Sequence, residues 1–284
     1  MSTLTGMIGG DPLTAPLTYP GLPPRRPAVL VTGTDVLDIR PVRAAALGQW
    51  RVRLAGRAAT DVPAGPGEPA AADLPLDVFL HGQGGPPVVG RTPVLSVGSN
   101  ASPAQVRRKM ADAGLRTVVP ITSVKVHGLA VGVSAHVSRP GYIPATPVAD
   151  PAAVSDMWVL WLDPEAARAL DATEPNYQRI RLSSQYAVHL LPGRPVPDCS
   201  VYVSWRGHLL NRAGDPRTLT DQATLITGLL ADVPALMALA GSTPEEWIKR
   251  TRDERVRDGI RVLFRTAGIV RQAGIEASRV PGAR

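Results

Sequence analysis

Eleven residues constrain the fold of this chain more than any other stretch: Pro93-Val94-Leu95-Ser96-Val97-Gly98-Ser99-Asn100-Ala101-Ser102-Pro103. The apolar run Val94, Leu95 and Val97 predicts a short buried strand. It passes without a spacer into Gly98-Ser99-Asn100 and then Ser102-Pro103, an N-cap followed by proline at the first helical position. The helix is predicted over Ala104 to Ala113, with Val106, Met110 and Leu115 on one buried face. A strand that enters a helix through such a turn leaves backbone N–H groups unpaired, and a carboxylate or an oxyanion would satisfy them. The same residues also suit an ordinary strand–turn–helix corner, so the stretch fixes local structure before it fixes a role.

The remaining segments read as an α+β protein. Residues 1 to 26 are rich in Pro, Gly and Thr and predict an extended arm. Strands are predicted at Ala28–Thr32, Val36–Ile39, Trp50–Leu54 and Leu76–Leu80, with an Ala/Gly/Pro-rich linker over Ala59–Asp73. After the central helix come strands at Thr117–Ile121, Val124–Val126 and Leu129–Val137, then an irregular loop over Pro140–Pro147. Met157-Trp158-Val159-Leu160-Trp161-Leu162 predicts a fully buried strand, closed by Asp163-Pro164-Glu165 as the cap of a short helix reaching Asp171. Tyr177–Leu182 and Tyr186–Leu191 are predicted to pair with each other, and a last strand covers Ser200–Trp205. Two long helices are predicted to finish the chain, Asp221–Ala240 and Pro244–Ile269, the second capped by Thr243 with Glu246 in the capping-box position. This divides the 284 residues into an N-terminal extension (1–90), a central region (91–215) and a helical segment (216–284) placed to pack on the centre or to build a dimer.

Composition excludes several classes of function. Only Lys109, Lys125 and Lys249 are lysines among 31 basic residues, a bias expected of a GC-rich genome, so arginine count carries little functional meaning. A net charge of +7 would allow an acidic partner, but no basic block with interleaved aromatics is present. Acidic residues Glu245, Glu246, Asp253, Glu254 and Asp258 dilute the basic C-terminal helix, which argues against nucleic acid. One cysteine, Cys199, permits no internal disulfide and no Cys-rich zinc site. No signal-peptide pattern and no apolar run of membrane-spanning length is present, so a cytoplasmic enzyme without membrane contact is the expectation.

Few residues remain as candidates for chemistry. Gly132-Val133-Ser134-Ala135-His136 lacks the second glycine of a nucleophile elbow and falls in an alternating strand. The five histidines are dispersed without metal-ligand spacing, so no metal site is expected. Asp150, Asp156, Asp163 and Asp171 have the positions of caps and turn formers. What is left is the Val97-Gly98-Ser99-Asn100 turn and Glu174, in Leu170-Asp171-Ala172-Thr173-Glu174-Pro175-Asn176-Tyr177. Pro175 disfavours a helical Glu174, which puts this carboxylate just past a helix end. A solvated helix-end carboxylate is the plainer account of the same position.

Together the two features resemble the γ-glutamylcyclotransferase family, in which a strand ends in Tyr-Gly-Ser-Asn. Later in that family a Trp/Val-rich strand, a short helix and Leu-Asp-x-x-Glu-Gly precede a tyrosine and a basic strand. Here the order is Val97-Gly98-Ser99-Asn100, Met157–Leu162, Leu170-Asp171-x-x-Glu174, then Tyr177-Gln178-Arg179-Ile180-Arg181; the likeness covers about Thr92 to Trp205. The resemblance implies a small mixed β-barrel at the centre, flanked by an N-terminal β extension and C-terminal helices. It implies Glu174 as general acid/base, and Val97, Gly98, Ser99, Asn100 and Tyr177 as substrate-binding residues. The implied substrate is a small γ-glutamyl or similar aminoacyl compound, cleaved by attack of its own amine with release of a lactam and without a cofactor or a metal. Val97 stands where the family usually has tyrosine, Pro175 where it has glycine, and Gly214–Thr220 contains no tyrosine. A binding or assembly module that keeps the fold without catalysis is the alternative.

Overall fold

The structure, a computed structural model, describes residues 11–54, 73–116, 118–191 and 193–279. Residues 1–10 of the expected arm and nearly all of the Ala59–Asp73 linker lie outside the described residues. Strands β1 (Ala28–Val31), β2 (Val36–Arg40), β3 (Arg51–Val52) and β4 (Leu74–Pro75) lead to helix α1 (Leu76–Gly82), strand β5 (Thr92–Ser96) and helix α2 (Pro103–Asp112). Two long strands, β6 (Val119–Val133) and β7 (Ala145–Leu162), precede helix α3 (Pro164–Ala172). Then come β8 (Tyr177–Leu182), β9 (Val188–Leu190), β10 (Arg194–Pro195), β11 (Ser200–Ser204) and β12 (His208–Leu209). Helices α4 (Gln222–Asp232), α5 (Ala235–Ala240), α6 (Pro244–Arg250) and α7 (Glu254–Thr266) are followed by β13 (Val270–Arg271) and β14 (Ala277–Arg279).

One sheet joins most strands in the order β14-β8-β11-β5-β7-β6-β1-β2-β3-β4, with β9 on β6 and β10 on β9; β12 and β13 form a separate ribbon. β5 and β11 are parallel, with Ser200 opposite Val94, and the other ladders are antiparallel. Successive side chains of a strand point to opposite faces, and the sequence of the central strands serves two cores at once. Val94, Leu160 and Leu162 face α2 and α3, where Val106, Met110, Ala166 and Leu170 cover them. Leu95, Val159 and Trp161 face the other way, into a core closed by Leu76 and Leu80 of α1. A third core joins the far end of β6 to the C-terminal helices around Trp247 and Phe264. Trp247 is fully buried and its indole N–H donates to the Gly141 carbonyl at 2.9 Å. Gly128 marks a bulge in β6: its φ is +84°, the register shifts between His127 and Leu129, and a Cβ there would press on the Tyr186 ring at 3.1 Å. Cys199 is a buried core thiol, pushed up to about 12 by burial. Among the described residues no helix is long and apolar enough to cross a membrane.

The α+β class agrees with the sequence, and several finer expectations need correction. The central sheet is not a closed barrel: β8 gives one edge to β11 and the other to β14, so no edge remains for closure on β9. For the same reason β8 and β9 do not pair; β9 goes to β6, with Val188 opposite Val126. Leu76–Leu80 is helix instead of strand, because Leu76 and Leu80 are buried one helical turn apart while Val78 is 54% exposed. The three strand segments expected between 117 and 137 merge into β6. β7 begins at Ala145, twelve residues before the run expected as a strand. Each long C-terminal helix is two helices. Pro234 keeps Val233 out of the helical region (φ −130°, ψ 79°), and Asp253 caps a fresh helix by accepting from Arg255 N–H. Asp171 is no cap. Its oxygens accept both Arg179 Nε and Nη2 at 2.8 Å, and Tyr202 Oη at 2.6 Å.

Candidate functional site

The sheet topology brings the two sequence candidates to one end. β5 and β11 run parallel, so the last residues of both lie together, and Ser204 at the end of β11 faces Tyr177 at the start of β8. The chain leaving β5 at Ser96 therefore meets the chain entering β8 after α3. Val97 and Gly98 lead into a single 3-10 turn, Ser99–Ala101, and Ser102-Pro103 start α2 as the sequence predicts, although the Ser102 side chain makes no capping bond. Asp163 caps α3 by accepting from Ala166 N–H; the helix ends at Ala172, leaving Glu174 beyond it. The arginine clamp on Asp171 and the Tyr202 phenol fix the end of α3 from which Glu174 projects.

Val97, Gly98, Ser99, Asn100, Glu174 and Tyr177 all line one cavity of about 450 Å³. Asn100 Nδ2 donates to Glu174 Oε1 at 3.0 Å. Lys109 Nζ donates to the same Oε1 at 2.7 Å and to Asn100 Oδ1 at 2.7 Å, closing a triangle of side chains. Lys109 comes from α2, two turns past the Ser-Pro start, and is 8% exposed. Both donors act on one carboxylate oxygen, so Glu174 Oε2 has no protein partner among the described residues.

Four of the five tyrosines of the chain, Tyr19, Tyr142, Tyr177 and Tyr202, line this cavity and feel the charge of Glu174. Burial is the first cause that raises each phenol; Tyr142 is pushed up to about 12, with the Glu174 charge as the second cause. All four therefore stay protonated at neutral pH. Their hydroxyls have different uses. Tyr177 donates to the Ala145 carbonyl at 2.8 Å and Tyr202 to Asp171. Tyr19 accepts from Ala145 N–H at 2.8 Å, and its ring stacks on Tyr142 with centroids 4.3 Å apart and planes 14° from parallel. Gly98 makes this approach possible through its missing side chain, since a Cβ there would fall on the Tyr19 hydroxyl and 3.2 Å from Ala145 Cβ.

His136 also lines the cavity. Its Nδ1 is 2.6 Å from Ser134 Oγ, which is 2.6 Å from Ser204 Oγ. Burial, then the nearby Arg206 and Arg261 guanidinium groups, lower His136 to about 3, so it is a neutral imidazole. Ser134 is fully buried behind it and does not line the cavity, which leaves a serine nucleophile without access. Among the described residues no group of three or more His, Cys, Asp or Glu side chains is placed to hold a metal.

Sequence reasoning missed Lys109, Tyr19, Tyr142, Tyr202 and His136. Lys109 carries a signal: it is one of three lysines in an arginine-rich chain, and a compact ammonium can bond two neighbouring oxygens where a planar guanidinium would not fit. Tyr19 is an aromatic in a Pro/Gly-rich arm, and nothing local says that it folds inward.

No family model matches the chain, and no curated protein matches it. A solved structure described as "Gamma-glutamyl cyclotransferase" is similar at a TM-score of 0.35 and 12% sequence identity, over 60% of this chain and 98% of that one. A likeness that slight does not bear on activity.

Proposed function

We propose that the chain is a cofactor-independent cyclotransferase that releases a γ-glutamyl or similar aminoacyl group as a lactam, with Glu174 as general acid/base. The observation that carries this reading is the hydrogen bond from Asn100 to Glu174, which ties the carboxylate to the Gly98-Ser99-Asn100 turn inside one cavity. Lys109 and Asn100 hold Oε1, and the free Oε2 is the oxygen available to a substrate. The cavity has the size of a small-molecule site.

The chemistry follows from that geometry. In a γ-glutamyl amide the free α-amine attacks its own γ-carbonyl, forming a C–N bond and a five-membered ring. Glu174 Oε2 takes the proton that the amine loses. When the original C–N bond breaks, the same carboxyl delivers that proton to the leaving amine, so the enzyme returns to its starting state. Val97, Gly98, Ser99, Asn100 and Tyr177 form the wall that holds the acyl group. Incubation with a panel of γ-glutamyl amides should release 5-oxoproline and free amine. Full turnover by Glu174→Gln on a confirmed substrate would remove Glu174 from its role.

A second reading, a small-molecule binding module without turnover, is favoured by the Lys109–Glu174 ion pair, which occupies one carboxylate oxygen in the resting site. Binding of 5-oxoproline or a γ-glutamyl amide without product release across the panel would select it.

A further inference from the structure

Backbone N–H groups at Val97–Asn100 are the candidates that the sequence offers for the developing oxyanion, and the structure places a phenol beside them. The Tyr19 hydroxyl lies directly over Gly98, where a Cβ would meet it, and so occupies the side-chain face of that residue. Its oxygen is held by Ala145 N–H at 2.8 Å and also interacts with the Ser99 backbone amide. A phenol oxygen that accepts from backbone amides keeps its own O–H to give. No acceptor for that proton is found among the described residues. Of the cavity tyrosines, Tyr177 and Tyr202 spend their protons on Ala145 and Asp171. The Tyr142 oxygen interacts with the Ser138 side chain, a rotatable hydroxyl, and with no backbone amide among the described residues. Of the four, Tyr19 combines an oxygen fixed by backbone amides with a proton that has no acceptor among the described residues.

The segment that delivers it is well anchored. Asp11 Oδ1 accepts from Gln105 Nε2 at 3.0 Å, and Arg108 Nε lies 3.8 Å from Asp11 Oδ2. Both partners belong to α2, the helix that carries Lys109. Leu17 packs on the helical core, and Leu13 joins Tyr19 in lining the cavity.

We propose that the Tyr19 hydroxyl, carried in by the N-terminal arm, donates a hydrogen bond to the reacting carbonyl oxygen of the substrate in place of the Val97–Asn100 backbone amides. The bond strengthens as that oxygen gains negative charge and relaxes as the leaving amine departs; the phenol keeps its proton throughout. Burial keeps the phenol protonated, so the donor is present at every working pH. The identity of the carbonyl rests on the cyclotransferase reading, whereas the presence of a fixed donor does not.

The test compares Tyr19→Phe with Tyr186→Phe in the full chain. Tyr186 lies outside the cavity and its phenol also accepts one backbone amide, Glu276 N–H at 3.1 Å, so it reports the cost of losing such a bond alone. Tyr19→Phe should lower kcat on a confirmed γ-glutamyl substrate about 10²-fold with KM changed less than about threefold, and Tyr186→Phe should stay within about twofold. Affinity for added 5-oxoproline should fall about three- to tenfold in Tyr19→Phe only. In the wild-type chain the Tyr19 hydroxyl proton resonance should move downfield on adding 5-oxoproline, a readout that needs no variant. Wild-type kcat and lactam affinity in Tyr19→Phe, or a resonance that does not move in the bound state, would overturn the proposal. If the wild type binds 5-oxoproline but turns over no γ-glutamyl amide, the cyclotransferase reading fails and the lactam affinities still decide Tyr19. If it neither binds nor reacts, both fail.

Discussion

Asp171 and Glu174 sit three residues apart at the end of one helix and are treated in opposite ways. Asp171 has both oxygens committed, to a two-pronged Arg179 contact and to Tyr202. Glu174 has two donors crowded on Oε1 and, among the described residues, none on Oε2. A carboxylate that is fully paired serves the fold, since nothing more can bind it without breaking what is there. One that is oriented by half of its hydrogen-bonding capacity, beside a cavity, is prepared for a ligand. On the proposed function, the difference separates support from chemistry within a single turn of chain.

Exchange of the two acids for their amides breaks the comparison most directly. Glu174→Gln should lower turnover about 10²- to 10⁴-fold. It leaves the buried Lys109 short of its counter-charge and should cost about 3 kcal/mol of stability. Asp171→Asn leaves a largely buried Arg179 short of its counter-charge and should cost about 3 kcal/mol in denaturant unfolding. An equal loss of turnover in the two variants would erase the distinction. Gly98→Ala comes next. Its methyl would fall on the Tyr19 hydroxyl, displacing the phenol from Ala145 N–H at about 1–3 kcal/mol, with turnover falling as in Tyr19→Phe. A melting temperature equal to that of wild type would show that the phenol is held less tightly than its contacts indicate.

A smaller effect sharpens the contrast on the His136 side of the cavity. His136 titrates at about 3 in the folded chain, below its ordinary 6.5, so protonation favours the unfolded state. Its contribution is full above the unfolded value and is lost as pH falls toward 3. His208 is lowered in the same direction by burial and Arg271. Unfolding free energy should drop by about 2 kcal/mol between about pH 7 and pH 5, and His136→Gln should remove most of that slope. An unchanged slope in the variant would place the titration elsewhere. Smallest is Lys109→Arg, which keeps the charge but not the compact ammonium that bonds Glu174 and Asn100 together. Turnover should fall about tenfold through a lower kcat, and a wild-type rate would show that charge alone suffices.

The elements that the sequence revealed share one property: the pattern and its cause are local. Val94–Ser96 running into Gly98 and Ser102-Pro103, the Asp163 cap, and Glu174 held off the helix by Pro175 are each decided within a few residues. What stayed hidden depends on contacts across the sheet. Leu76–Leu80 has too few residues for period two and period four to be told apart until the burial of Leu76 and Leu80 is seen. The failure of the barrel to close follows from β14, more than ninety residues after β8, taking the edge that closure required. Tyr19 enters the cavity from 126 positions before its partner Ala145, through an arm whose composition suggests only extension. The capping box at Thr243 is a smaller instance. Thr243 does cap Glu246 N–H, but the Glu246 carboxylate returns to Ser242, one residue early.

The most direct measurement is a crystal structure of the full chain with 5-oxoproline bound. The central claim is that one free carboxylate oxygen and one fixed phenol define where chemistry occurs. It predicts the lactam between Glu174 Oε2 and the Tyr19 hydroxyl, with the ring nitrogen toward the carboxylate and the carbonyl oxygen toward the phenol. A lactam seated elsewhere, or one that leaves Glu174 Oε2 without contact, would contradict it.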